Sequence, residues 1–83
     1  MSKKKTRHIK MVRSQSGEIC GVNFKTQRAA YFSSSAEETF DMLENNERSC
    51  LSLVGHDLRD SIIGWVNRSS DYAKQQYTPI IMG

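Results

Sequence analysis

The chain has 83 residues, of which 37% are hydrophobic and 25% charged, with a net charge of +3, a composition typical of one globular domain. No stretch reaches the roughly 18 consecutive apolar residues of a membrane-spanning helix, and no secretory apolar stretch follows the basic start. We therefore expect a cytoplasmic protein without membrane contact, in which Cys20 and Cys50 stay reduced.

Charge is distributed unevenly along the chain. Six of the 12 basic residues precede Glu18, the first acidic residue, whereas from residue 14 onward six basic residues accompany nine acidic ones. We predict a disordered basic arm over residues 1–6, a single domain over 7–78 and a flexible tail over 79–83. Basic arms attract phosphate backbones. The candidate nucleic-acid contacts are Lys3, Lys4, Lys5, Arg7, Lys10 and Arg13.

Alternating polar and apolar residues predict a β-hairpin near the start of the chain. Ile9 and Met11 lie on one side of the stretch "RHIKMVR", and the same period of two returns at Cys20, Val22 and Phe24. The intervening "SQSGE" contains Gly17, which accepts a positive φ in a turn. Residues 29–32 offer a third short strand.

A helix is predicted from residue 36 to about residue 46. Ser35 and Glu38 have the spacing of a capping box, in which the serine oxygen accepts a hydrogen bond from an early helix amide. Phe40 and Leu43 then recur at helical spacing and are expected to face the core. Three carboxylates should face water: Glu37, Asp41 and Glu44.

The last third of the sequence allows two interpretations. Apolar residues recur every three or four positions from residue 51 to residue 65, which fits one continuous helix. Alternatively, "CLSLV" is a strand, and Asp57 caps a helix over about residues 57–75. We favour the second interpretation because Gly55 weakens a continuous helix by roughly 1 kcal/mol relative to alanine. Pro79 should end any helix that reaches it.

Together these elements predict an α+β fold. A small antiparallel sheet, consisting of the hairpin and a third strand, spans residues 7–32, and two helices pack on one of its faces. The expected core residues are Phe24, Phe40, Leu43, Leu58, Ile62 and Trp65. Because a domain of this size buries only about 60% of its unfolded surface, association into a homodimer is a further expectation.

The stretch from His56 to Arg59 reads His, Asp, Leu, Arg. It resembles the phosphoacceptor box of sensor histidine kinases, in which a helix carries this pattern. The resemblance implies that His56 accepts a phosphoryl group. The resemblance covers only these four residues. Ser61 stands where that family has a proline. In addition, a chain of 83 residues leaves no room for a nucleotide-binding domain. The alternative is a polar pair at a helix start.

The sequence gives little support for catalysis or metal binding. His8, Cys20, Cys50 and His56 are scattered singly, whereas structural zinc sites present closely spaced pairs. Cys20 and His8 could face each other across the hairpin, but no third residue completes a catalytic set. Phosphate-binding glycine loops are absent. We therefore predict a protein that is not an enzyme and has neither a metal nor a cofactor.

A binding function remains. We predict a small regulatory protein that binds and modulates, for example inhibits, a larger protein partner. The predicted surfaces are the acidic helix face of Glu37, Asp41 and Glu44 and an exposed edge of the hairpin. The alternative is weak nucleic-acid binding through the basic arm, and a more remote alternative is phosphoacceptor function at His56.

Overall fold

A computed structural model describes residues 8–33, 35–53 and 62–81. In these ranges a five-stranded antiparallel sheet packs against three short helices, which confirms the predicted α+β class. The strand order is β4-β3-β2-β1-β5. The elements are β1 (Ile9–Ser14), β2 (Ile19–Asn23), β3 (Arg28–Ser33), α1 (Ala36–Glu44), β4 (Leu51–Ser52), α2 (Ile62–Asn67), α3 (Asp71–Gln76) and β5 (Tyr77–Ile80). None of these helices is long and apolar enough to cross a membrane.

The predicted hairpin forms the centre of the sheet. Strands β1 and β2 pair with Val12 opposite Cys20 and Met11 opposite Gly21. In the turn between them Gly17 has a φ of 94°, as expected, and its amide donates to the Ser14 carbonyl oxygen over 3.0 Å. The third strand is confirmed as β3, which pairs with β2.

Both faces of the sheet carry a hydrophobic cluster, because all five residues of β2 are buried. The α1 face is covered by α1, and its cluster consists of Ile9, Met11, Ala30, Leu43 and Cys50. The α2 face is covered by α2, and its cluster consists of Val12, Cys20, Val22, Ala29, Leu53, Ile62 and Val66. The prediction that both helices pack on one face is therefore wrong. A strand with small or apolar residues on both faces must be shielded from water on both faces, so a helix packs on each.

Of the six predicted core residues, two are buried and three are partly buried. Leu43 and Ile62 are buried, with 0% and 4% of their surface exposed. The three predicted aromatic residues are partly buried and pack against the edges of the two clusters. Leu58 lies outside the described residues, as do the other residues from 54 to 61.

Helix α1 begins where the capping box predicts. The Ser35 Oγ accepts a hydrogen bond from the Glu38 amide over 3.0 Å, which satisfies one of the free amides of the first turn. The helix ends at Glu44, two residues earlier than expected, and Asn46 follows with a left-handed φ of 54°. Asparagine tolerates this conformation better than most residues.

Helix α1 lies directly on β2 at Gly21. A Cβ atom on Gly21 would lie 2.8 Å from the Leu43 Cδ1 atom and 2.8 Å from the Met11 Cγ atom. Two residues along, the buried Asn23 donates from Nδ2 to the Leu43 carbonyl oxygen over 2.9 Å, and its Oδ1 accepts from the Lys25 amide. The helix end and the β2–β3 turn are thereby joined through one side chain.

The strand interpretation of the last third is correct where the structure describes it. Leu51 and Ser52 form β4, which pairs with β3. The single helix expected over 57–75 is instead two short helices in its described part. Arg68 interrupts them with a φ of 50°, and the Ser70 Oγ caps α3 by accepting from the Ala73 amide over 3.1 Å.

The final strand, β5, was not predicted. It pairs with β1, with Ile80 opposite Met11 and Tyr77 opposite Ser14. Pro79 and Ile80 therefore belong to the sheet, although the sequence predicted a tail from residue 79. A proline is tolerated because β5 is an outer strand, where a missing N–H need not break a ladder. Residues 1–7 and 82–83 lie outside the described ranges, so the basic arm stays a prediction.

Replacing Gly21 with alanine should destabilise the fold by about 1–3 kcal/mol, because the added methyl group overlaps buried side chains. The loss can be measured by denaturant unfolding. If the overlap with Met11 causes it, the double variant with Met11→Ala should lose less stability than the sum of the single variants. Additive losses would contradict this packing.

Candidate functional site

The predicted acidic face is present on α1. Glu37, Asp41 and Glu44 are all exposed, while Thr39 and Leu43 on the inner side are buried. Positions separated by four and three residues share one side of a helix, so the three carboxylates form a single stripe. The face carries negative charge at the surface and leaves the packing side of the helix apolar.

The six predicted nucleic-acid contacts do not form one surface in the described part of the chain. Lys3, Lys4, Lys5 and Arg7 lie outside the described residues. Lys10 and Arg13 are both exposed on β1, but they lie three positions apart in a strand and thus on opposite faces. Arg13 shares its face with Met11, whereas Lys10 shares its face with Val12.

Lys10 instead contributes to a groove, here called the basic groove, that the sequence did not reveal. The groove has a volume of about 690 Å³ and brings Lys10 together with Arg68 and Lys74. Its described lining contains no acidic residue. The Lys10 Nζ donates to the Asn67 Oδ1 over 3.0 Å, and an Arg68 Nη donates to the Lys74 carbonyl oxygen over 3.3 Å. Most of the remaining lining is apolar and includes Ile9, Met11, Phe40, Val66 and Ile80.

The exposed hairpin edge that we predicted does not exist. Strand β1 is paired with β5 and strand β2 with β3, so both sides of the hairpin are already occupied. The outer strands of the described sheet are β4 and β5. Strand β4 has only two residues, and β5 contains Pro79, and both features limit strand addition at a sheet edge.

The two cysteines are free and lie in the clusters on opposite faces of the sheet. Cys20 pairs with Val12, whereas the His8 carbonyl oxygen accepts from the Phe24 amide at the other end of the ladder. Cys20 and His8 therefore do not face each other across the hairpin, an arrangement that the sequence had left open. Among the described residues no three His, Cys, Asp or Glu side chains form a metal-binding group. His56 lies outside the described residues.

Three aromatic side chains meet on the α2 face, a grouping that sequence spacing does not indicate. Trp65 of α2 lies between Tyr31 of β3 and Tyr77 of β5. The three rings border a small cavity that also contacts Glu18 and the thiol of Cys20. Burial raises the pKa of Cys20 to about 12, so the thiol is neutral at physiological pH.

The raised pKa of Cys20 predicts a loss of stability in alkali. The unfolded thiol ionises near its ordinary value of 9.0, whereas the folded thiol stays protonated up to about 12. The stabilisation of the folded state by the protonated Cys20 thiol is therefore complete below pH 9 and is lost as the pH rises through 12. Denaturant unfolding at increasing pH should show a shallower decline for Cys20→Ala than for the wild type. Equal declines would mean that the folded thiol ionises normally.

The acidic face, the basic groove and the aromatic cavity are thus three regions of the described chain with distinct binding chemistry. They offer carboxylates, cations and π-electron surfaces, respectively. No protein-family model, curated protein or solved structure matches this chain. The function is consequently inferred from the chemistry of these regions.

Proposed function

We propose that this protein is a non-catalytic regulator that binds a larger protein partner through the acidic face of α1. The observation that carries the proposal is the position of the carboxylates. Glu37, Asp41 and Glu44 are exposed along one side of the helix, and the opposite side already packs on the sheet. Packing on the sheet therefore leaves this stripe accessible to a partner.

Two of these carboxylates lie where a helix disfavours negative charge. The last turn of α1 contains Asp41 and Glu44 and has no basic residue. The carbonyl end of a helix carries a partial negative charge, so an acidic side chain there lowers stability by about 0.3–1 kcal/mol. A contribution to binding would explain why destabilising residues are present at these exposed positions.

The charge of the face determines the chemistry of the partner. Carboxylates separated by one helical turn attract lysine and arginine side chains and repel nucleic-acid phosphates. We therefore propose a partner with a basic surface patch, whose association is accelerated by electrostatic attraction. The proposed cytoplasmic location rests on the sequence, which has no apolar secretory stretch after its basic start.

The acidic-face proposal predicts opposite effects of Asp41→Lys on stability and binding. The variant should be more stable by about 0.3–1 kcal/mol, because a cation suits the last helical turn. It should nevertheless retain less partner when the immobilised protein is incubated with nuclease-treated extract of its native cells. Binding is measured as the amount of captured partner per molecule of immobilised protein.

Glu47→Lys is the matched control, because it makes the same change in charge at an exposed site beyond the end of α1. It should capture the partner at the wild-type level. If both variants, or neither, lose the partner, the acidic face is not the binding surface. Loss of all captured material on nuclease treatment would favour nucleic-acid binding instead.

As the alternative function we propose nucleic-acid binding by the basic arm together with the cations of the basic groove. The observation that favours it is the position of Lys10, which follows the arm in sequence and lies in the groove with Arg68 and Lys74. A phosphate backbone could contact these side chains without meeting an acidic residue of the described lining. Such contacts bind without regard to base sequence.

This alternative predicts which lysines determine the salt dependence of binding to duplex DNA. Lys10→Ala and Lys74→Ala should each reduce the slope of log affinity against log salt by about 0.9. Arg13→Ala should leave the slope unchanged, because Arg13 is exposed on β1 but is not among the residues that line the groove. An equal effect of all three variants would show that general charge, not the groove, attracts the DNA.

A further inference from the structure

The aromatic cavity on the α2 face is a bounded site with a volume of about 130 Å³. Residues from separate elements border it: Tyr31 from β3, Trp65 from α2 and Tyr77 from β5, with Glu18 from the β1–β2 turn. Its lining includes the buried Cys20 and the exposed Glu18 and Tyr31, the latter with 37% of its surface exposed. The cavity therefore reaches the surface beside Glu18 and Tyr31.

The three aromatic rings that border the cavity also contact one another. Trp65 and Tyr77 are nearly parallel, at 15°, with centroids 5.5 Å apart, and Tyr31 is tilted by 47° to Trp65 at 5.8 Å. A centroid separation of this size between nearly parallel rings is that of an offset stack, which leaves part of each ring face uncovered. Because the face of an aromatic ring is electronegative, several faces around one space favour a cation.

The remaining lining has the matching charge. Glu18 is the only charged residue in the described lining of the cavity. Burial raises the pKa of Tyr31, and the electrostatic effects of the neighbouring Cys20 and Glu18 raise it further. The pKa of Tyr77 is raised in the same way, by burial first and by neighbours that include Glu18. The electrostatic influence of Glu18 therefore extends to two of the three rings.

We propose that this cavity binds a trimethylammonium group, which contacts the uncovered parts of the Tyr31, Trp65 and Tyr77 rings and the carboxylate of Glu18. Its volume of about 130 Å³ is several times the roughly 30 Å³ share of one water molecule in the liquid, so the cavity admits a group larger than a single water. A quaternary ammonium donates no hydrogen bond, so the apolar ring faces can surround it without leaving a polar atom unpaired. The site is independent of the acidic face, which belongs to the other side of the sheet.

Choline and its neutral isostere 3,3-dimethylbutan-1-ol test the proposal, because they differ in charge and share their shape. Trp65 is the only tryptophan of the chain, so its fluorescence reports occupancy of the cavity directly. Choline should change the emission in a saturable manner, with an affinity about tenfold or more above that of the neutral isostere. Equal affinities would overturn the proposal, as would the absence of saturable binding of choline.

Conservative variants locate the site. Glu18→Gln should weaken choline binding by about 2- to 5-fold, the effect expected for an exposed charge pair. Glu37→Gln, which removes the same charge from the α1 side of the sheet, should leave the affinity unchanged. If Glu37→Gln weakens binding as much as Glu18→Gln, choline responds to the overall charge, and the proposed site is wrong.

The same measurement tests whether a lysine side chain must be methylated to bind. Nε-trimethyllysine within a short peptide should bind by the same fluorescence change as choline, and unmethylated lysine in the same peptide should bind several-fold more weakly, because its ammonium is more strongly hydrated. Equal binding of the two peptides would overturn recognition of the trimethylammonium group.

Discussion

The close approach of α1 to β2 at Gly21 determines how the rest of the α1 face is built. Because no side chain separates them, Leu43 can lie against the strand, where a Cβ atom would come within 2.8 Å of it. Asn23 then binds the carbonyl oxygen at the end of the helix. The rotation of α1 about its axis is thus fixed at two points, and that rotation presents the carboxylates to solvent.

The second constraint is the burial of β2 on both sides. Neither face of the sheet can stay exposed to water, so the chain must supply cover for each. It does so with separate segments, α1 on one face and α2 on the other. Each layer of the core is thin, and the two cysteines lie in different layers. The aromatic cavity and the acidic face consequently form on opposite sides of the same sheet.

Local chemistry explains what the sequence could predict. The hairpin, the positive φ of Gly17 and the cap at Ser35 each depend on neighbouring residues alone, and all three were predicted. The break at Arg68 depends on a left-handed conformation that arginine rarely adopts, and nothing in the pattern signals it. The basic groove and the aromatic cavity unite residues from distant parts of the chain, so spacing could not reveal them.

The pairing of β1 with β5 has a consequence for how the protein is made. These are the first and last strands of the described chain, yet they are neighbours in the sheet. Ile80 must therefore be synthesised and released from the ribosome before it can pair with Met11. Until then the open side of β1 exposes backbone donors and acceptors to other chains. The described sheet is therefore completed only after β5 has been made, and a nascent chain that stalls before β5 keeps the open side of β1 available for pairing with other chains.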